Sequence, residues 1–350
     1  MPTLVTRYVN TASSGGDGTT NATSGANAAY ASLSAANTDI TADYPSFVAS
    51  DVQVDVYCTG SAADTANFTI TGITTDATRY LRILAASGDV ARANGWDTGR
   101  YRLSATNPSS PLNTLVISIA HIRLIGLQIE CVGTSGLNSR SNLVINAGFA
   151  SGNNILIDSC RLRYTATSVG TGCDVFTWSS AGNTPRVINT IIEAVGTQRT
   201  SVRTAAINSN DDGAIYNCLL TGGSVAFEDS GGSGTPVLKN CILYNNNANT
   251  TSGHWNASST NNASDRADVE GSNQRESQTF TFEDAANGDY RITSADAAAR
   301  NFGTDLSADA TQAFAVDMAG TSRPQGASWD IGPFEVAAAT TFFRPYFITG

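Results

Sequence analysis

Four acidic residues and one tryptophan fall at related places in this 350-residue chain. Phe176-Thr177-Trp178 is followed by Ile207-Asn208-Ser209-Asn210-Asp211-Asp212, and then by Phe227-Glu228-Asp229. Asp211, Asp212, Glu228 and Asp229 are residue types that perform general acid–base hydrolysis, and Trp178 beside them is the type that stacks on a sugar ring. Such chemistry needs two carboxylates at a set separation, which neighbouring strands ~4.8 Å apart provide when the acids are in register. The local strings argue for a plainer role. Asn210-Asp211-Asp212-Gly213 forms turns, and Glu228-Asp229-Ser230-Gly231-Gly232-Ser233-Gly234 reads as a flexible loop. A chain with net charge -10 also carries many solvated surface acids. A lyase would set a basic residue beside a carboxylate, usually with bound calcium; Arg186 and Arg203 are the nearest basic residues, and no DxDxDG string occurs. His121 sits in a strand-like run and His254 beside Trp255, so neither completes a triad. There is no phosphate loop with its lysine, no GxSxG and no histidine metal motif. The expectation is therefore no catalytic residue, no metal and no cofactor. The four acids stand as the site of an alternative hydrolase or lyase, and Trp178 as a sugar-binding residue.

The elements that would position these residues repeat. Ile157-Asp158-Ser159-Cys160-Arg161-Leu162, Val187-Ile188-Asn189-Thr190-Ile191-Ile192, Ile215-Tyr216-Asn217-Cys218-Leu219-Leu220 and Leu238-Lys239-Asn240-Cys241-Ile242-Leu243 share one pattern. Leu124-Ile125-Gly126-Leu127-Gln128-Ile129 is an earlier, looser copy. Aligning Gly126, Ser159, Asn189, Asn217 and Asn240 gives steps of 33, 30, 28 and 23 residues. A constant apolar strand with a variable period is the mark of a coiled β-solenoid, in which each turn adds short strands to stacked parallel sheets. The pattern predicts Ile157, Ile188, Leu220 and Leu243 inside the coil. It places Cys160, Thr190, Cys218 and Cys241 in one inward ladder, with Cys acting as a small hydrophobe.

Composition agrees. The chain is 41% hydrophobic, which supports a long core, yet only 14% charged, with 32 glycines. The remainder is largely Thr, Ser and Asn, which suits turns and strands. One lysine and a net charge of -10 disfavour nucleic-acid binding, which needs clustered cations. No run approaches the ~20 apolar residues of a membrane helix, and Met1–Arg7 lacks the features of a secretion leader. Six cysteines without a CxxC pair, and only two histidines, argue against a zinc site.

Before the repeats, Tyr30, Leu33, Asn37 and Ile40 share a helical face, and Asp51–Cys58 alternates as a half-buried strand. A helix there would cap the first turn of a solenoid. Arg7-Tyr8-Val9-Asn10, Gly16-Asp17-Gly18-Thr19 and Tyr30-Ala31-Ser32-Leu33 resemble the opening of right-handed parallel β-helix proteins of the pectate-lyase-like superfamily. Gly288-Asp289-Tyr290-Arg291-Ile292, Arg323-Pro324-Gln325-Gly326 and Asp330-Ile331-Gly332-Pro333-Phe334-Glu335 resemble the closing segment of many of them. The likeness covers about residues 5–335. It implies an all-β right-handed parallel β-helix with a short N-terminal helical cap and a β-rich closing segment. The expected divisions are 1–50 for the cap, 51–250 for the coil, 251–335 for a polar loop and the close, and 336–350 for a tail. Residues 246–279 read as a long loop or irregular wrap.

The superfamily includes lyases, hydrolases, adhesins and viral spikes, so the fold does not choose among them. The tail carries Phe342, Phe343, Tyr346, Phe347 and Ile348, apolar side chains that need a surface to cover them. The favoured expectation is a non-enzymatic component of a bacteriophage particle, such as a capsid decoration, spike or tail appendage. It is expected to be a homotrimer in the virion, contacting other virion proteins through this tail and host surface polysaccharide elsewhere, with no nucleic-acid or membrane partner. A polysaccharide depolymerase and a non-catalytic glycan-binding adhesin are the alternatives.

Overall fold

The computed structural model describes residues 1–91, 94–107, 113–133, 140–146, 153–166, 173–179, 184–196, 202–204, 213–229, 236–250, 256–269 and 271–337. Among the described residues most strands fall into three long sheets in which all pairings are parallel, and Phe282–Asp284 pairs antiparallel with Asp289–Ile292 in a separate two-stranded sheet. The first has eight strands and begins Thr3–Asn10, Val52–Thr59, Leu81–Ala85, His121–Ile125; it ends at Val237–Lys239. The second has seven strands, from Phe68–Ile70 to Ala248–Thr250, and the third has eight, from Ala63–Asp64 to Ala263–Ser264. The chain visits the sheets in rotation: His121–Ile125 in the first, Gln128–Gly133 in the third, Arg140–Asn146 in the second, then Asn154–Asp158 in the first again. The result is an all-β, solenoid-like architecture. Among the described residues no helix is long and apolar enough to cross a membrane.

The repeat alignment is also the structural register. Gly126, Ser159, Asn189, Asn217 and Asn240 all have positive φ, between 49° and 69°, and each turns the chain from the first sheet to the third. Asn and Gly tolerate this left-handed conformation, and repeating it at one corner stacks successive turns. The next residue points inward at each level: Leu127, Cys160, Thr190, Cys218 and Cys241 are all buried. Ile191 N–H donates to Cys160 O, Leu219 N–H to Thr190 O and Ile242 N–H to Cys218 O, so the expected ladder forms. Cys58, Cys160, Cys218 and Cys241 are buried thiols outside any disulfide. Burial pushes the Cys160 thiol up to about 12, so it packs as a neutral apolar group.

Ile157, Leu220 and Leu243 lie in the interior as expected. Ile188 does not. Val187 pairs with Ile157 and takes the inward place, while Ile188 pairs with Asp158 and faces the other side. Because strand side chains alternate, one residue decides the face. Ile188 is still buried, since it packs outside the coil with Leu156, Tyr216, Leu306 and Trp329.

That outer packing is the work of the C-terminal segment. Residues 280–337 run back along the outside of the first and third sheets. Ile292, Ala299, Met318, Ile331 and Phe334 cover Ile191, Leu219, Ile242 and Ala263 on the third. The corner asparagines hold the segment in place. Asn189 Nδ2 donates to Val316 O (3.0 Å), Asn217 Nδ2 to Gly332 O (3.1 Å) and Asn240 Nδ2 to Thr304 O (2.8 Å). Gly332 has φ +99°, and a Cβ there would come within 2.6 Å of the Ile242 side chain, so only glycine allows this contact.

The polar stretch read as a long loop continues the stacking for part of its length. Ala263–Ser264 pairs with Ile242–Leu243, and parallel bridges join Thr260 to Ser272 and Ala263 to Arg275. Asn262 takes the inward place after the corner residue Asn261, and its side chain bonds Cys241 N and Leu238 O. Near the N-terminus, α1 (Leu33–Asp43) buries Leu33, Ala36 and Ile40, and α2 (Phe47–Ser50) buries Phe47. Tyr30, expected on the α1 face, precedes the helix and bridges to Val9. Asp64 ties α1 to the coil: its Oδ2 accepts from Leu33 N (2.6 Å) and from Tyr101 Oη (3.0 Å).

Two substitutions at one corner separate backbone strain from side-chain docking. Asn217→Gly keeps the left-handed turn and loses the amide's bonds to the outer segment, so it should cost about 1–2 kcal/mol, since each hydrogen bond is worth ~0.5–1.5 kcal/mol. Asn217→Ala adds the left-handed penalty of roughly 1–2 kcal/mol and should melt lower than Asn217→Gly in urea titrations. Equal midpoints would remove the corner conformation as a cause. Leu220→Ala or Leu243→Ala should cost about 2–5 kcal/mol in the same assay.

Candidate functional site

Trp178 is the first correction. Its side chain lies inside the coil, fully buried, with Phe176 at 5.2 Å and Phe227 at 6.2 Å between ring centroids. Phe176 and Trp178 are two apart on one strand and so share its inner face. An interior tryptophan cannot serve as a platform for a sugar outside the coil. Its Nε1 has no hydrogen-bond partner among the described residues, so this position contributes packing at some polar cost. Asp211 and Asp212 lie outside the described residues, as do the side chains of Glu228 and Asp229. The backbones of Glu228 and Asp229 end the strand Val225–Asp229 and pair with Arg203 and Thr204. Phe342, Phe343, Tyr346, Phe347 and Ile348 also fall outside the described residues.

The structure instead gathers charge on the outer face of the third sheet. Glu130, Arg163 and Glu193 occupy one register position on three successive strands. Arg161, one pair along, is fully buried and forks onto Glu193 through Nε (2.8 Å) and Nη2 (2.9 Å). Arg163 Nε donates to the same carboxylate at 2.8 Å. Arg161 Nη2 also reaches Gly288 O at 3.0 Å, which pins the outer segment to the coil. Burial would raise the Glu193 carboxyl, but the charges and hydrogen bonds of Arg161 and Arg163 outweigh it and hold the pKa below its ordinary value. Glu130 is held by Ser104 Oγ (2.9 Å) and Thr165 Oγ1 (2.7 Å). Arg163 lies over the Trp96 ring, 4.8 Å from its centroid.

This row does not fit hydrolysis. Glu130 and Glu193 are two strands apart, about 9.6 Å at the usual strand spacing, near the upper limit for an inverting pair of ~6.5–9.5 Å. Arg163 occupies the register position between them, where substrate and water would have to enter. Glu193 is held ionised, so it has no proton to give. The other buried acids have structural duties too. Asp55 pairs with Arg82, and Glu335 with Arg323 at 2.9 Å. Arg323 reaches the carbonyls of Asp330 and Gly332 as well, so the Arg323–Glu335 stretch forms a clasp over the corner column. Among the described residues no His, Cys, Asp and Glu gather in a metal-holding group.

The sequence alone pointed to no functional role for Arg161, Arg163, Glu193, Trp96 or Tyr290. A signal was present. The steps of 33 and 30 residues carry Glu130 onto Arg163 and Arg163 onto Glu193. Trp96 and Tyr290 had no such signal, because they arrive from outside the repeats. Comparison of the chain with protein-family models, curated proteins and solved structures finds no match.

The ion cluster sets a pH dependence. Because the folded pKa of Glu193 is lowered, its contribution is complete above the unfolded glutamate value of about 4.3. It is lost as pH falls through the lower folded value. Glu193→Gln leaves two arginines facing a neutral group and should cost roughly 3–5 kcal/mol at pH 7. Melting curves from pH 7 down to pH 3 should show the wild-type advantage over Glu193→Gln shrinking at the acid end. A constant gap would show that the charge pairing has no part in stability.

Proposed function

We propose that the protein is a non-enzymatic structural component of a bacteriophage particle, a capsid decoration, spike or tail appendage. In this reading the coil is a right-handed parallel β-helix whose first turn is capped by α1. The observation that carries it is the use made of buried charge. Glu193, Glu335, Asp55 and Asp64 each anchor an arginine or a backbone N–H, so these four acids serve to fasten parts of the scaffold together. A rigid coil clasped from outside suits a part that bears load and displays a surface. The resemblance of the opening and closing segments to pectate-lyase-like β-helix proteins supports the same reading, since that superfamily includes viral spikes. Residues 336–350 supply the contact with sister chains or other particle proteins, and a side-by-side homotrimer is the assembly we expect. Host surface polysaccharide is the external partner.

Two experiments bear on this. Mass spectrometry and immunogold labelling of intact particles should find the protein at the particle surface, and its absence there would overturn the reading. Incubation with acidic and neutral polysaccharides should release neither new reducing ends nor unsaturated products. Activity that disappears in Asp211→Asn or Asp212→Asn would establish the depolymerase instead, because a general acid contributes about 10²–10⁴-fold. Deleting residues 341–350 should leave a folded coil, by circular dichroism, that no longer assembles or attaches. A truncated chain that still forms the native oligomer would remove the tail as the assembly element.

A further inference from the structure

A cleft of about 290 Å³ opens where the outer segment meets the third sheet. Arg163, Glu193, Thr221, Asn245, Gly288 and Tyr290 line it. It belongs to none of the acids read from the sequence. Its size is near the lower end of small-molecule sites, ~300 Å³, which suits a molecule of about one sugar ring.

The chemistry centres on Arg163. Its Nε is taken by Glu193, and its guanidinium lies against Trp96. Its two terminal nitrogens donate to no described group, and the side chain keeps 19% of its surface exposed. The fork is therefore fixed in orientation before any ligand arrives, which lowers the entropy lost on binding. Arg161, Arg163 and Glu193 together carry one net positive charge. The Asn245 side-chain amide also has no hydrogen-bond partner among the described residues, and burial raises Tyr290 to about 12, which keeps its hydroxyl protonated. Three acids stand close by, and the nearest in register is Glu130, beside Arg163 on the adjoining strand. Asp265 accepts from Asn245 N at 2.8 Å and Asp284 from Asn287 Nδ2 at 2.7 Å. They reduce the long-range field, so recognition rests on the guanidinium fork itself.

We propose that this cleft binds a small hydroxylated molecule through an oxyanion, carboxylate or phosphate, held by the two terminal nitrogens of Arg163. The ligand's hydroxyls meet Asn245 and Tyr290. Planar two-point recognition of an oxyanion is what a pre-ordered arginine does best. The site exists only because the outer segment is docked, since Gly288 and Tyr290 form one wall. It does not depend on the particle reading.

The test is titration calorimetry of the full chain with gluconate, glucose 6-phosphate and glucose. One acidic probe or both should bind at least ~10-fold more tightly than glucose, since charge-assisted two-point bonds are about twice as strong as neutral ones. Gluconate alone would assign a carboxylate ligand, and glucose 6-phosphate alone a phosphate. Arg163→Lys keeps the charge and loses the fork, so it should weaken the acidic probe by about 10-fold. Asn245→Asp puts a negative charge at the rim without touching the ion cluster. It should weaken the acidic probe with the melting temperature unchanged, which covers the case in which Arg163→Lys does not fold. Failure of both acidic probes to bind at millimolar concentration would overturn the proposal. So would equal binding of all three probes, or an unchanged affinity in both variants.

Discussion

A left-handed residue that recurs at one corner of successive turns governs this structure. Ser159, Asn189, Asn217 and Asn240 each accept a conformation that most side chains avoid. The column that results fixes the register of the first and third sheets. It also presents a line of side-chain amides to the outside, and these amides seat the C-terminal segment. Asparagine is suited to both roles, since it tolerates the backbone angle and offers a donor and an acceptor. Glycine would satisfy the first role alone. The column is thus a corner for the coil and a rail for the segment.

Once the segment is on that rail, it changes what the outer surface can be. The outer faces of the first and third sheets carry Ile188, Leu219 and Ile242, residues that would be a liability on an open surface. Covered, they form two further apolar clusters outside the coil's main core. Charge is used in the same way. Arg161 bridges Glu193 on the coil to Gly288 on the segment, and Arg323 joins Glu335 to the backbone above the column. Buried ion pairs add little stability beyond an apolar alternative, but losing one partner is costly. Their value lies in specifying where the segment docks.

This arrangement bears on function through what it leaves open. The described acids that look chemically promising by type are engaged in fastening, and Trp178 fills the interior. The place with unused polar capacity is the seam, where Arg163 and Asn245 face a cleft walled by the outer segment. A ligand site at a seam couples occupancy to docking, because a molecule that bridges both walls stabilises the docked state by mass action.

The sequence by itself determined the coil. Its repeat carried the corner positions, the inward cysteine and threonine ladder, and the mostly apolar interior, because strand alternation and one special backbone angle are local properties. It even contained the register of Glu130, Arg163 and Glu193 in its step lengths. Tertiary structure decided the rest. The repeat alignment already sets Val187 in the inward place of Ile157, but that Ile188 on the other face is buried too depends on cover from residues more than a hundred positions away. Trp178 looked like a surface aromatic because nothing near it in sequence shows that Phe227 completes its pocket. The clasp of Arg323, the wall of Tyr290 and the cleft between that wall and the sheet depend on contacts across long sequence distances, made by a segment outside the repeat. Local pattern encodes periodic structure, whereas a site assembled from non-repeating chain exists only after docking.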